Sequence, residues 1–278
     1  MGVAAGDGPT ATTAGAAIDV RSLTRRFGDL TAVDAVTLAV PRGGIFALLG
    51  SNGAGKTTLL KMLTTLLPPT AGEAFVAGVS VLAAPEEVRR RIGYVPQLVS
   101  ADGMLTGREN LRFSARLYGV PARERATRIA DALRFMGLED AADRLVKTYS
   151  GGMIRRLELA QAMLHRPEVL FLDEPTIGLD PLARHAVWDR LRSLRQDFDM
   201  TVLLTTHDME EAENLCDELA ILHAGRLVVS GRPADLCAAI APTATLDDVF
   251  ARWCGGTIEE SGRFADTRQA RSTARRLG

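Results

Sequence analysis

The stretch Gly50-Ser51-Asn52-Gly53-Ala54-Gly55-Lys56-Thr57-Thr58 constrains this chain more than any other, because it fixes a fold element and a ligand chemistry together. Gly50 and Gly55 bracket four residues ahead of Lys56 and Thr57, after an apolar run at 45–49 and before a helical pattern from about 56 to 65. A strand, a glycine-rich turn and a helix start in that order let backbone N–H groups curl around phosphate oxygens at the positive end of the helix. In such a loop the lysine reaches the outer phosphates and the next hydroxyl holds a magnesium ion, the parts here of Lys56 and Thr57. Alone, the loop says nucleotide and no more.

At 278 residues the chain can bury a full-sized core, as one domain or as a domain with an inserted lobe. A formal net charge of −1 gives no global basic field, so nucleic acid is not expected as a partner. Among the 33 basic residues only Lys56, Lys61 and Lys147 are lysine, which with the abundant Ala and Gly reads as coding bias rather than function. Cys216, Cys237 and Cys254 are odd in number and far apart, which suits a reducing cytoplasm and argues against a disulfide framework or clustered metal site. No apolar run approaches the roughly 18 to 20 residues that span a bilayer. Residues 1–17, rich in Ala, Gly and Thr and interrupted by Asp7 and Pro9, lack the basic start of a secretory signal and read as a disordered leader. If the chain works at a membrane, another chain must do the spanning.

Beta-like runs at 18–23 and 36–40 precede the phosphate loop; a strand at 73–76, a short helix from Pro85 to Arg91 and a strand at 92–95 follow it. From about 98 to 166 the texture is helical. Thr106 and Glu109 form a capping box ahead of 111–118, and Ile129, Leu133 and Met136 make a packing stripe stopped by Gly137. Strand and helix then alternate: a strand at 169–173, a helix after Pro181, a strand at 201–205, a helix near 210–216, and strands near 219–222 and 227–230. A helix at 246–253, capped by Thr245 with Asp248, closes an α/β core at 18–254 interrupted by helices. Residues 255–278 form a polar, Arg-rich tail read as loosely ordered; Arg268, Arg271 and Arg275 would share a helical face that could touch an anionic leaflet.

Leu170-Phe171-Leu172-Asp173-Glu174 delivers two adjacent carboxylates at the C-terminal end of an apolar strand, the edge where parallel sheets bind ligands. Asp173, expected on a strand neighbouring the loop's own, fits the carboxylate that supports the loop's Mg²⁺, and Glu174 is placed to polarise a water for in-line attack on a γ-phosphate. His207 ends the next apolar strand on the same edge, where it could donate to the γ-phosphate and orient that water. Ser150-Gly151-Gly152 opens a helix at 153–164 and makes a second anion site with no lysine of its own.

Taken together these motifs resemble the ATP-binding subunit of an ATP-binding cassette (ABC) transporter, a P-loop NTPase with a mixed sheet core and an inserted helical subdomain. The resemblance runs from about 18 to 253. Tyr149-Ser150-Gly151-Gly152-Met153 then stands where the family's signature loop closes on ATP held by a second subunit. It further implies that Gln97 senses γ-phosphate and metal and faces the membrane partner, and that Asp180 communicates between the two sites. Phe27 falls where an aromatic ring stacks on adenine. Ser51, Tyr149 and Met153 replace the family's frequent Pro, Leu and Gln, at positions where backbone N–H groups and the Ser150 hydroxyl make the contacts. Within the family, TYSGGM, LFLDEPTIGLDP and TLDDVF resemble the daunorubicin/doxorubicin-resistance exporter type. The implied protein is an ATPase with Mg²⁺, at the cytoplasmic face of the cell membrane, working as a head-to-tail dimer with a separate membrane permease. A soluble cassette ATPase acting on nucleic acid or ribosomes is the alternative. Its usual tandem cassettes, long coiled-coil insertion and paired zinc cysteines have no counterpart in this sequence.

Overall fold

A computed structural model describes residues 15–255 of the chain. The leader apart from its last three residues, and the Arg-rich tail apart from Gly255, lie outside the described residues. The chain opens with β1 (Ala16–Phe27) and β2 (Leu30–Pro41), an antiparallel pair longer at both ends than the two runs read from sequence, so Ala16 and Ala17 belong to a strand rather than a leader. The pair is interrupted by bulges, with Ser22 and Ala35 at φ 46° and 48°, and each bulge resets the two-residue alternation that makes a strand visible.

Next come β3 (Ile45–Leu49), α1 (Lys56–Leu63), β4 (Ala71–Val76), the two-residue β5 (Val79–Ser80), α2 (Pro85–Arg91) and β6 (Ile92–Val95). The helical stretch holds α3 (Gly107–Leu117), α4 (Ala122–Met136) and α5 (Gly151–Met163). The capping box of Thr106 and Glu109 is present at α3, and Gly137 ends α4 at φ 62°, a conformation glycine adopts freely. The core resumes with β7 (Val169–Asp173), α6 (Pro181–Phe198), β8 (Thr201–Thr206), α7 (Met209–Leu215), β9 (Glu218–His223) and β10 (Arg226–Gly231). Two helices finish it: α8 (Pro233–Ala238), which the sequence reading missed, and α9 (Leu246–Cys254), whose Leu246, Val249 and Phe250 are buried.

Two sheets organise these elements, an antiparallel one ordered β2-β1-β4-β5 and a six-stranded one ordered β10-β9-β3-β8-β7-β6. In the larger sheet the strands from β9 to β6 are parallel and β10 is antiparallel at its edge. β8 lies between β3 and β7, so Asp173 is one strand further from the phosphate loop than the sequence suggested. Strand alternation divides the core. Ile45, Ala47 and Leu49 face one cluster with the helices α4, α5 and α6, while Phe46 and Leu48 face another with α1 and the antiparallel sheet. The five parallel strands are apolar on both faces because both are covered.

At Gly93, on β6, helix α5 comes close to the sheet: a Cβ there would stand 2.4 Å from the Ala162 carbonyl oxygen and 2.9 Å from Leu170 Cδ1. Backbone cannot give way as a side-chain tip can, so Gly93→Ala should cost about 1–3 kcal/mol of stability, read as a lower denaturant midpoint. An unchanged midpoint would show that this contact does not set how α5 sits.

Candidate active site

Three parallel strand ends build the site. After β3 the chain enters the glycine loop, where Gly53 and Gly55 have φ 80° and 106°. A Cβ on Gly50 would stand 2.4 Å from the Leu222 carbonyl oxygen, and one on Gly55 2.4 Å from that of Ala32, so the loop is pressed between β9 and β2 where a side chain has no room. Ser51 and Ala54 are buried, Thr58 is half-buried, and Asn52 and Gly53 are exposed. Lys56, 5% exposed, donates from Nζ to the carbonyls of Gly50 (2.7 Å) and Ser51 (3.2 Å) and lies 3.4 Å from Glu174 Oε1. Burial pulls its pKa down, against the pull of Glu174 and Asp173 upward.

The second strand end is that of β7. Asp173 Oδ1 accepts from the Thr57 hydroxyl at 3.0 Å and from the Thr205 hydroxyl at 2.6 Å, so the carboxylate expected beside the magnesium hydroxyl does touch it, across the intervening β8. Glu174 follows with φ 49°, left-handed backbone that a non-glycine residue rarely takes, and its N–H donates to the Thr205 carbonyl and hydroxyl. That turn, which nothing in the sequence signals, puts the Glu174 side chain beside Lys56 and His207.

His207 follows the third strand end, at β8. Its Nδ1 is 3.3 Å from Glu174 Oε2, within ion-pair distance but not aligned as a hydrogen bond, and both atoms are buried without a hydrogen-bond partner. Buried polar atoms normally have partners, so the pair fits a small polar guest such as a water or a phosphate oxygen. Burial disfavours the Glu174 carboxylate, but His207 and Lys56 outweigh it and hold its pKa below the ordinary value. The Glu174 carboxylate raises the pKa of His207 against the opposing effect of burial.

The remaining expected residues lie around this centre. Gln97, just past β6, has an exposed side chain, and its carbonyl accepts from Arg155 Nη2 at 3.3 Å. Ser150 caps α5, its hydroxyl accepting from the Met153 N–H, and is exposed. Cβ atoms on Gly151 and Gly152 would stand 3.2 Å from Leu179 Cδ2 and 2.9 Å from Ala183 Cβ, so these glycines let the start of α5 approach the start of α6, which Asp180 caps. Among the described residues, no hydrogen bond or ion pair joins Ser150, Gly151 or Gly152 to the loop at 50–58. Phe27 ends β1 rather than lying in a loop; its ring is 45% exposed, with the Arg25 guanidinium 4.5 Å from its centroid.

Two features were missed from the sequence. Tyr149 donates its hydroxyl to the Ala141 carbonyl at 2.6 Å, and Gly107 leaves room for it, since a Cβ there would lie 2.4 Å from that hydroxyl. Arg155 and Glu158 form a buried pair at 3.0 Å; Arg155 also holds the Pro96 carbonyl, and Glu158 holds Ser100 through its N–H and hydroxyl. The i, i+3 spacing on α5 was readable, but burial of both charges was not.

Comparisons with known proteins place the chain in a family. The ABC transporter family profile matches residues 33–177, and the chain belongs to that family. Its relatives there are ATP-binding subunits. Nod factor export ATP-binding protein I of Ralstonia nicotianae is 46% identical over 219 residues, covering 79% of this chain and 68% of that protein. The protein of the same name from Rhizobium meliloti is 48% identical, covering 78% and 64%. Daunorubicin/doxorubicin resistance ATP-binding protein DrrA of Streptomyces peucetius is 47% identical, covering 79% and 66%. The chain thus spans about two thirds of these relatives' length and is equally similar to both kinds. A solved structure described as the ATP-binding subunit of an ABC transporter is 32% identical with a TM-score of 0.75, covering 85% of this chain and 98% of that one. The structure of cbiO1 from Clostridium perfringens, at 24% identity, a TM-score of 0.76 and coverage of 91% and 99%, shows the likeness of fold alone.

The His207–Glu174 pairing carries a pH signature. Because His207 is raised above 6.5, its contribution is full below that value and lost as pH rises through the folded pKa; because Glu174 is depressed below 4.5, its contribution is full above that value and lost as pH falls. The stability difference between wild type and His207→Ala should therefore be largest between 4.5 and 6.5 and shrink above it. Denaturation of both proteins from about pH 5 to about pH 9 checks this, and a constant difference would contradict the pairing.

Proposed function

We propose that this chain is the ATP-hydrolysing subunit of an exporter, driving a separate membrane permease from the cytoplasmic face of the membrane and moving a drug-like or hydrophobic compound outward. The observation that carries the reading is the convergence of Lys56, Thr57, Asp173, Glu174 and His207 on one sheet edge. Backbone N–H groups from Gly50 to Thr58, with Lys56, would hold the phosphates of ATP, and Phe27 would stack on adenine. Mg²⁺ would be held at Thr57 and Asp173 with Gln97, and would neutralise phosphate charge as the terminal bond breaks. Glu174, kept ionised by its neighbours, is suited to accept a proton from the attacking water, and His207, whose pKa the Glu174 carboxylate raises, is suited to donate toward a terminal phosphate oxygen.

Among the described residues no second anion-binding element is bonded to the glycine loop, so Ser150, Gly151 and Gly152 are assigned to ATP on a second copy, with Asp180 beside them. The permease contact is assigned to the face around Gln97 and the helical subdomain at about 98–166. There Leu98, Val99, Met104, Phe113 and Leu117 are exposed, at 62% or more, on α3 and the loop that leads to it. Among the described residues no helix is long and apolar enough to cross a membrane, so the cargo path is assigned to the partner. The names of the relatives, which concern export and drug resistance, support the direction and the class of cargo.

Lys56→Ala is expected to abolish tight ATP binding, whereas Glu174→Gln should bind ATP and hydrolyse it about 10²- to 10⁴-fold more slowly. Equilibrium binding and turnover of both variants separate the roles, and wild-type turnover in Glu174→Gln would remove Glu174 from catalysis. With ATP, Glu174→Gln should sediment as a dimer, and adding Ser150→Arg should return it to monomer. A fully active ATPase that stays monomeric would defeat the shared site.

A further inference from the structure

We propose that Glu211, on α7, is a positioning residue for hydrolysis, whose buried carboxylate fixes the segment after Glu174 against the segment that carries His207. The proposal rests on the ATPase reading above. Glu211 is 1% exposed, and its Oε1 accepts from the Thr176 hydroxyl at 2.8 Å and from Trp188 Nε1 at 3.0 Å. Thr176 lies two residues beyond Glu174 on the way to Asp180. Trp188, itself 1% exposed, is on α6, the helix that Asp180 caps. The backbone N–H of Glu211 donates to Asp208 Oδ1, beside His207. From α7, the helix that follows His207, one carboxylate thus reaches the two segments that present Glu174 and Asp180.

Glu211 also lines a cavity of about 130 Å³ together with Glu174, Thr176, His207, Asp208 and Arg184. Arg184, a cation facing that cavity, is engaged by Asp208 at 2.7 Å and Glu210 at 3.3 Å, and Arg155 is held by Glu158. Glu211 has no salt-bridge partner among the described residues, and burial pushes its pKa up. An apolar side chain would be the cheaper filler for a merely structural position, since a buried carboxyl is costly even when hydrogen-bonded. What a leucine could not supply is an acceptor shared by two donors on different segments.

The test is steady-state ATP turnover of the full chain, with wild type and Glu174→Gln as references. Glu211→Ala should lower kcat about tenfold or more with KM for ATP changed less than about twofold, since the loss falls on an arrangement needed in the transition state. Glu211→Gln keeps an acceptor oxygen and should stay within about threefold of wild type, and Thr176→Val, which keeps the volume and loses one donor, should fall between. Adding Thr176→Val to Glu211→Ala should cost nothing more, because both remove the same link. Wild-type kcat in Glu211→Ala would overturn the proposal, as would a Gln variant as slow as the Ala variant, or a change confined to KM. Should Glu211→Ala not fold, wild-type kcat in Thr176→Val would overturn it equally. Failure of wild type itself to hydrolyse ATP would instead remove the ATPase reading, and this proposal with it.

Discussion

Thr205 is the residue through which the site is assembled. Its hydroxyl donates to Asp173 Oδ1 at 2.6 Å and accepts from the Glu174 N–H at 3.0 Å, while the same oxygen of Asp173 accepts from Thr57 at 3.0 Å. A carboxylate 1% exposed needs hydrogen-bond donors to offset its burial, and here Oδ1 takes two hydroxyls, one from each of two neighbouring segments. The order β3-β8-β7 makes this possible, because parallel strands in that order bring the glycine loop, Thr205 and the Asp173-Glu174 pair to one edge. The left-handed turn at Glu174 then swings the second carboxylate out of the strand and toward Lys56 and His207.

A second framework holds the helical part to this edge. Arg155 and Glu158, both buried, pin the carbonyls of Pro96 and Gln97 and the N–H of Ser100 to α5. Ser150 opens the same helix, and Tyr149, bonded to Ala141, seats that opening against Gly107. The loop that carries Gln97 and the loop that carries Ser150 are therefore held to one rigid helix. In the proposed function, this shared helix would couple the loop assigned to sense the metal on one ATP to the loop assigned to reach a second.

Much of the site was legible because its parts are local. The glycine loop, the carboxylates closing an apolar strand and the Ser-Gly-Gly helix start each need few residues, and their chemistry follows from residue type and spacing. Strand order was not legible: nothing in 169–173 or 201–206 says which run lies beside β3, and the nearer position was given to the wrong one. The bulges at Ser22 and Ala35 hid the length of β1 and β2 for the same reason, since pairing registers are long-range facts. Buried charges were the largest gap. Glu211 sits in the acidic run Glu210-Glu211-Ala212-Glu213, and Arg155 and Glu158 in a helix rich in charge. Only tertiary packing distinguishes these from solvated neighbours.

The claim that two copies complete each other's site is open to a direct measurement. Cysteines placed at Asn52 and Ser150 in a Glu174→Gln chain freed of Cys237 and Cys254 would report whether the two loops meet across chains, using a short thiol-reactive cross-linker. The account predicts covalent dimers when ATP is bound and none without it. Absence of dimers under conditions where ATP binding is saturated, or cross-linking that ignores ATP, would contradict it.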